Sequence, residues 1–341
     1  MAAQANRGRA LQIGALVQNF GGFPETGRSS RACVDLGIRA EAAGLDSIWV
    51  TDHIVLPGER KARYPHNDSG VFPYRADQDI HDPLMLMAAL ATATTRVEIG
   101  VAVLVIPYRH PLTTAKMLAT ADQLSDGRVI LGAGVGWLED EFDALDLPEG
   151  TFEHRGSVTT DYLRAMRVAW TAPGTAGYEG RFVQFDDLGV RPQPARHLPI
   201  WIGGKGDRAL RRAAQVGDGY IAISSDPATL RTEVARLHDV VTDAGRAPSD
   251  LTIALIDGIS FTARPVDGPR PALHGTPEQV VEGLCAFADA GLEHLVAGVR
   301  LAGDPTYVGA TAALDQLATE VLPELRRRGT IRPLADGNVE P

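Results

Sequence analysis

Short uninterrupted apolar runs recur along the chain, and between them lie longer segments whose apolar positions return every three to four residues. Runs of the first kind suit strands buried on both faces of a parallel sheet. Segments of the second kind suit amphipathic helices. Residues 11–17 form the first run. A glycine-rich loop follows, and then a predicted helix over 30–43 with Ala32, Leu36, Ala40 and Ala43 on one face and a stop at Gly44. Ser47–Val50 reads as the second strand, Pro83–Ala93 as the next helix and residues 97–103 as the third strand. His110-Pro111 opens the third helix, with proline where a missing N–H costs nothing. Residues 128–131 are the fourth strand and 152–170 a long fourth helix.

The second half repeats the rhythm: strand 199–202, helix 207–215, strand 219–223, helix 227–244, strand 251–256. Thr276-Pro277-Glu278-Gln279 has the form of a capping box, and Val280, Leu284 and Phe287 supply the buried face behind it. Strand 294–299 and a last helix over 309–326 complete the set. Eight such units predict a (β/α)8 TIM barrel occupying residues 1–341 as a single domain, with a doubly wound open sheet as the alternative. No internal repeat or low-complexity segment stands out. Two connections break the rhythm. Residues 54–81 form a proline- and glycine-bearing excursion long enough to act as a lid. Residues 171–198 read as an insertion holding a small hairpin around Phe182-Val183-Gln184-Phe185.

A length of 341 residues, with 44% hydrophobic and 22% charged, allows a sizeable core. The two cysteines, Cys33 and Cys285, make neither a disulfide framework nor a metal motif, which fits a reducing compartment. The first ten residues carry Arg7 and Arg9 but no apolar run, and nothing approaches the ~20 apolar residues of a membrane span. A cytoplasmic location is expected. The net charge of −10 argues against nucleic acid and anionic membranes as partners. It also obliges any anionic cofactor to find a local basic patch.

In barrels, chemistry collects where strands end. The second strand ends in Trp49-Val50-Thr51-Asp52-His53, where an imidazole can move a proton near neutral pH and a carboxylate can orient it. His53 and Asp52 are the candidate catalytic residues. Gly203-Gly204-Lys205-Gly206-Asp207 follows the fifth strand and opens a helix, an arrangement suited to an anion; Lys205, Arg208, Arg211 and Arg212 cluster there. The fourth strand runs into Gly132-Ala133-Gly134-Val135-Gly136-Trp137. Trp137 stands where a dinucleotide fingerprint needs glycine or alanine, and Glu139, Asp140 and Glu141 would repel a pyrophosphate. Gly134 and Gly136 instead suggest backbone against which a flat ring can lie, with Trp137 as an apolar wall. No H-E-x-x-H or G-x-S-x-G motif is present, so metal-hydrolase and serine-nucleophile chemistry find no support, and no metal ligands are assigned.

These residues, together with His81-Asp82-Pro83, Tyr108-Arg109-His110-Pro111, Ser125-Asp126-Gly127-Arg128 and Gly217-Asp218-Gly219, resemble the luciferase-like flavin monooxygenase superfamily, in its branch of coenzyme F420-dependent oxidoreductases. The resemblance implies a barrel holding a deazaflavin ring at its C-terminal mouth, with Asp52 and His53 facing ring and substrate. It also implies a non-proline cis peptide at Ala102-Val103 behind the ring, and Gly203, Gly204 and Lys205 at the cofactor phosphate. Arg60, Lys61 and Arg63 in the lid become candidates for the acidic F420 tail. Sugar-phosphate dehydrogenases of the group carry a glutamate acid where Trp137 stands, which turns expectation toward a carbonyl, alkene or alcohol substrate. A homodimer is implied as well. Two other functions stay open: an FMN-dependent monooxygenase fed by a flavin reductase, and a non-catalytic flavin-binding protein.

Overall fold

The computed structural model describes residues 10–58, 63–65, 69–224 and 226–333. The chain runs β1 (Gln12–Leu16), α1 (Ser29–Ala42), β2 (Ser47–Val50), α2 (Pro83–Ala93), β3 (Glu98–Val105), α3 (Pro111–Leu124), β4 (Val129–Gly134), α4 (Glu139–Ala144) and α5 (Thr151–Thr171). A hairpin of β5 (Ala176–Glu179) and β6 (Gln184–Leu188) comes next. It is followed by β7 (Ile200–Gly203), α6 (Asp207–Val216), β8 (Gly219–Ala222), α7 (Pro227–Asp243), β9 (Thr252–Phe261), β10 (His274–Gly275), α8 (Pro277–Asp289) and β11 (His294–Leu301). The last helical stretch is α9 (Tyr307–Gln316), a π turn at Leu317–Val321 and α10 (Leu322–Arg327). Among the described residues, β1, β2, β3, β4, β7, β8, β9 and β11 pair in parallel, and the β8–β9 pairing closes the ring. The fold is a (β/α)8 barrel. The insertion before the fifth barrel strand does hold an antiparallel hairpin.

Alternation along the strands explains the two apolar layers. Ile48 and Val50 of β2 join the large core between strands and helices, whereas Trp49 between them points into the barrel. There it meets Trp201 of β7 at a centroid distance of 5.3 Å, and both indoles lie edge-on to His294 of β11. Glycines make the room. A Cβ on Gly100 would sit 2.2 Å from the Trp49 ring, and one on Gly219 would sit 2.5 Å from Trp201. Trp49 Nε1 donates to Ser47 Oγ, which lies 2.7 Å from His294 Nε2. Burial pushes the His294 imidazole down to about 3, so it stays neutral in the barrel floor.

Several boundaries differ from those the apolar pattern predicts. Strand β9 continues through Asp257, Gly258 and Ser260 because β11 pairs with it along eight positions. The last helix is interrupted by a π turn just before Pro323, whose missing N–H cannot close an ordinary helical bond. Strands β3 and β4 also run further toward the mouth than predicted, to Val105 and Gly134.

Candidate active site

The exits of β1 and β2 are fixed by Asn19. Its amide donates to Thr51 O and His81 O and accepts from the Thr51 amide and hydroxyl. This one buried side chain joins two strand ends to the close of the 54–81 segment. His53 follows β2 and is 7% exposed. Its Nδ1 lies 2.6 Å from Glu141 Oε2, and the same oxygen accepts from the Tyr108 hydroxyl at 2.7 Å. Glu141 Oε1 accepts from the amides of Ile54 and Val55. Burial pushes the Glu141 carboxyl up, but His53, the Ile54 amide and the Tyr108 hydroxyl outweigh it, and its pKa falls below the ordinary carboxylate value. Burial and the Glu141 charge hold Tyr108 protonated. The His53 proton is thereby fixed on Nδ1, and Nε2 makes no hydrogen bond among the described residues.

Aromatic rings surround this imidazole. Phe20 stands 5.3 Å away between centroids, Phe72 5.2 Å and Trp137 6.0 Å, and Tyr64 and Tyr74 extend the cluster. Phe72 and its two tyrosine neighbours come from the 54–81 segment, whose described part therefore lies on the mouth. Arg60 and Lys61, candidates for an acidic tail, fall outside the described residues; the Arg63 side chain runs past Gly70.

Asp52, the other candidate catalytic residue, is held by partners within the protein. Its side chain is fully buried. Arg109 grips it bidentately at 2.7 and 2.9 Å, and the Val105 amide donates to it at 2.9 Å. Burial raises the Asp52 carboxyl against the pull of Arg109. Arg109 also reaches Asp82, which caps α2, so Asp52 anchors the ends of β2 and β3 and the start of α2 to one another.

The Ala102–Val103 peptide is cis, and the β3–β4 register shifts between Val101 and Leu104. The Val103 side chain occupies the space left by two glycines: a Cβ on Gly134 would lie 2.2 Å from Val103 Cγ2, and one on Gly203 would lie 2.5 Å from Cγ1. A Cβ on Gly136 would meet Phe142 and Val105. At all three positions the space a Cβ would need is already taken by a protein side chain, so packing requires glycine there. Gly204 and Gly206 take left-handed φ values of 140° and 75°, Gly206 caps α6 with open space beside it, Lys205 is exposed, and the Tyr220 hydroxyl holds Gly204 O at 2.7 Å.

Glu141, Tyr108, Asn19 and Arg109 carry the site's hydrogen bonding but were not singled out as site residues by sequence reasoning. Tyr108 and Arg109 sit inside a quoted motif. Glu141 is the buried third member of an acidic trio that the sequence reading takes only as charge repelling a pyrophosphate. Asp257, midway along β9, is another carboxylate that sequence reasoning did not single out. Burial pushes its carboxyl up to about 6, and its Oδ2 has no partner among the described residues.

The luciferase-like monooxygenase family model matches residues 12–265. An uncharacterised protein of Mycobacterium tuberculosis is 30% identical over 262 residues, covering 73% of this chain and 89% of that protein. The F420-dependent glucose-6-phosphate dehydrogenase of Amycolatopsis mediterranei is 26% identical over 341 residues, covering 88% and 96%. An F420-dependent secondary alcohol dehydrogenase, solved with an F420–acetone adduct, shares the fold with a TM-score of 0.72 at 19% identity, over 93% of this chain and 99% of that one. Among the described residues no helix is long and apolar enough to cross a membrane. The chain belongs to the luciferase-like monooxygenase family and is an oxidoreductase of that family.

Proposed function

We propose that the protein transfers a hydride between coenzyme F420 and a small, largely apolar alcohol, ketone or activated alkene, with His53 carrying the accompanying proton. The observation that carries this reading is the Glu141–His53 pair enclosed by Phe20, Phe72 and Trp137. The F420-dependent relative supports the choice of cofactor. The residues present fit such a group. Aromatic walls and the Val103 bulge suit a planar ring, and Gly204, Lys205 and Gly206 at the start of α6 suit a phosphate.

When bound, the deazaflavin supplies a carbon centre that accepts or donates a hydride. The chain's own residues handle the rest. In the oxidative direction, Nε2 takes the substrate hydroxyl proton as the carbon loses its hydride; in reduction it returns that proton to the carbonyl oxygen. Glu141 stabilises the imidazolium and fixes the tautomer, and Tyr108 helps hold Glu141 in place. Asp52 acts through Arg109 and Val105 as a positioning residue. The aromatic enclosure keeps water from the reacting atoms, and Trp137 gives the substrate an apolar wall.

Fluorescence titration of the full chain with F420 and with FMN tests the cofactor, and a hydride-transfer screen of alcohols, ketones and enones tests the reaction. His53→Ala should bind F420 within a few-fold of wild type and lose roughly 10²–10⁴ in kcat. Preference for FMN with oxygen-dependent turnover would replace this reading with a monooxygenase. Unchanged turnover in His53→Ala would remove the proton role.

A further inference from the structure

Eight glycines lie in the barrel strands, and packing requires six of them. A Cβ on Gly14, Gly100, Gly132, Gly134, Gly203 or Gly219 would come within 2.1–2.5 Å of a neighbouring atom. Gly258 of β9 and Gly298 of β11 are different. A Cβ on Gly298 would meet nothing within 4 Å, and one on Gly258 would meet only Gly298 O at 3.8 Å, an ordinary contact. Neither residue has a left-handed φ, so backbone conformation does not demand glycine there. A glycine inside a strand weakens it, and where neither packing nor φ calls for one it marks a place that something else approaches closely.

The two glycines are register partners. Two positions earlier on the same strands, Ile256 and Val296 belong to the apolar layer inside the barrel, whereas Leu255 and Leu295 face the helices. Alternation therefore turns the glycine pair inward, one layer above Ile256 and Val296, at the C-terminal mouth. The result is a slot in the inner wall, with apolar side chains below and bare backbone behind. Ser260 and Arg300 hold the next inward positions. Burial pushes the Tyr74 hydroxyl of the lid segment up and the Arg300 charge pulls it back, which puts Arg300 beside the lid and the slot beneath it.

Only β1 separates β11 from β2 in the ring, so the slot and the exit that carries His53 lie two strand spacings apart, on the order of 10 Å. An acetone-sized substrate at His53 leaves the slot untouched, whereas a ring or branched chain on the reacting carbon extends into it. Resting on the hydride transfer proposed above, we propose that Gly258 and Gly298 seat the larger, apolar substituent of a secondary alcohol or ketone. The slot makes the protein prefer ring-bearing or branched substrates to acetone-sized ones.

Saturation-transfer NMR on the full chain, with and without added F420, reads the slot directly when cyclohexyl methyl ketone and acetone are the probes. Wild type should bind the cyclohexyl ketone about tenfold or more tightly than acetone. Gly298→Val fills the slot from a position with room for a side chain, so its melting temperature should hold or rise. It should weaken cyclohexyl ketone binding about tenfold or more, and lower the kcat/KM ratio of cyclohexyl ketone to acetone by a similar factor. F420 affinity, read by fluorescence titration, should stay within about twofold of wild type. Gly258→Ala should show the same change in milder form. Equal affinity of wild type for the two probes overturns the slot, as does a Gly298→Val variant that still discriminates between them or that loses F420 as well. Probe binding that follows these expectations without any F420-linked turnover overturns the hydride-transfer reading and leaves the slot standing, so the two failures are distinguishable.

Discussion

A carboxylate surrounded by four donors holds its charge even in a buried site, and Glu141 has His53, Tyr108 and the amides of Ile54 and Val55 around it. Glu141→Gln keeps the shape but removes the charge that favours an imidazolium. We expect kcat to fall roughly 10- to 100-fold with cofactor affinity little changed, and the pH profile of kcat to move, since the negative charge beside the imidazole is gone. A purely structural role would leave that profile in place. The stability consequence has a definite sign. The folded pKa of Glu141 lies below its ordinary value of 4.5, so its contribution is complete above that pH and disappears as pH falls through the folded value. Wild type should therefore exceed the variant by ~2 kcal/mol at neutral pH, with the gap closing in acid. Denaturation at several pH values measures it, and a gap that widens in acid would contradict the assignment. Sequence alone could not separate Glu141 from Glu139 and Asp140. Helix α4 spans only six residues, too few for periodicity to reveal its buried side, and that side is set by Tyr108 and His53 from distant parts of the chain.

At the scale of elements, the cis-bulged end of β3 and the glycines of β4 and β7 form one interlocking feature. Val103 fills the space that side chains at 134 and 203 would need. Gly203→Ala places a methyl 2.5 Å from Val103 Cγ1, and overpacking of this kind costs ~1–3 kcal/mol. Thermal melts should show that loss, and the double variant Gly203→Ala/Val103→Ala should recover much of it. If the second change deepens the loss, the two positions do not compete for the same volume. The strands themselves were legible because residues buried on both faces leave apolar runs, and Trp49 against Gly100 and Trp201 against Gly219 show why the glycines recur. The end of β9 was not legible. Its polar residues remain in the sheet only because β11 supplies hydrogen bonds along their whole length, a partnership that local pattern cannot encode.

At the scale of the whole molecule, the barrel places its apolar capacity below the mouth and its aromatic capacity at it. Phe72 is buried, and among the described residues its ring packs against His53, Tyr64, Tyr74 and Trp137 rather than within the barrel's hydrophobic clusters. The lid should therefore be separable from the fold in stability, since segments resting on few core contacts open at low cost. The chain's four tryptophans make this measurable. Trp49, Trp170 and Trp201 are buried, and Trp137 at the mouth is the partly exposed one, so acrylamide quenching of intrinsic fluorescence reports chiefly on the mouth. In Phe72→Ala the quenching constant should rise and the KM for apolar substrates should increase about tenfold, while the melting temperature moves by only a few degrees, as for a loss of ~1–2 kcal/mol. A cooperative early unfolding in this variant would mean that the segment is part of the barrel's own support. Unchanged quenching would mean that Phe72 does not shield Trp137, and the water-excluding role given to these rings would fail with it.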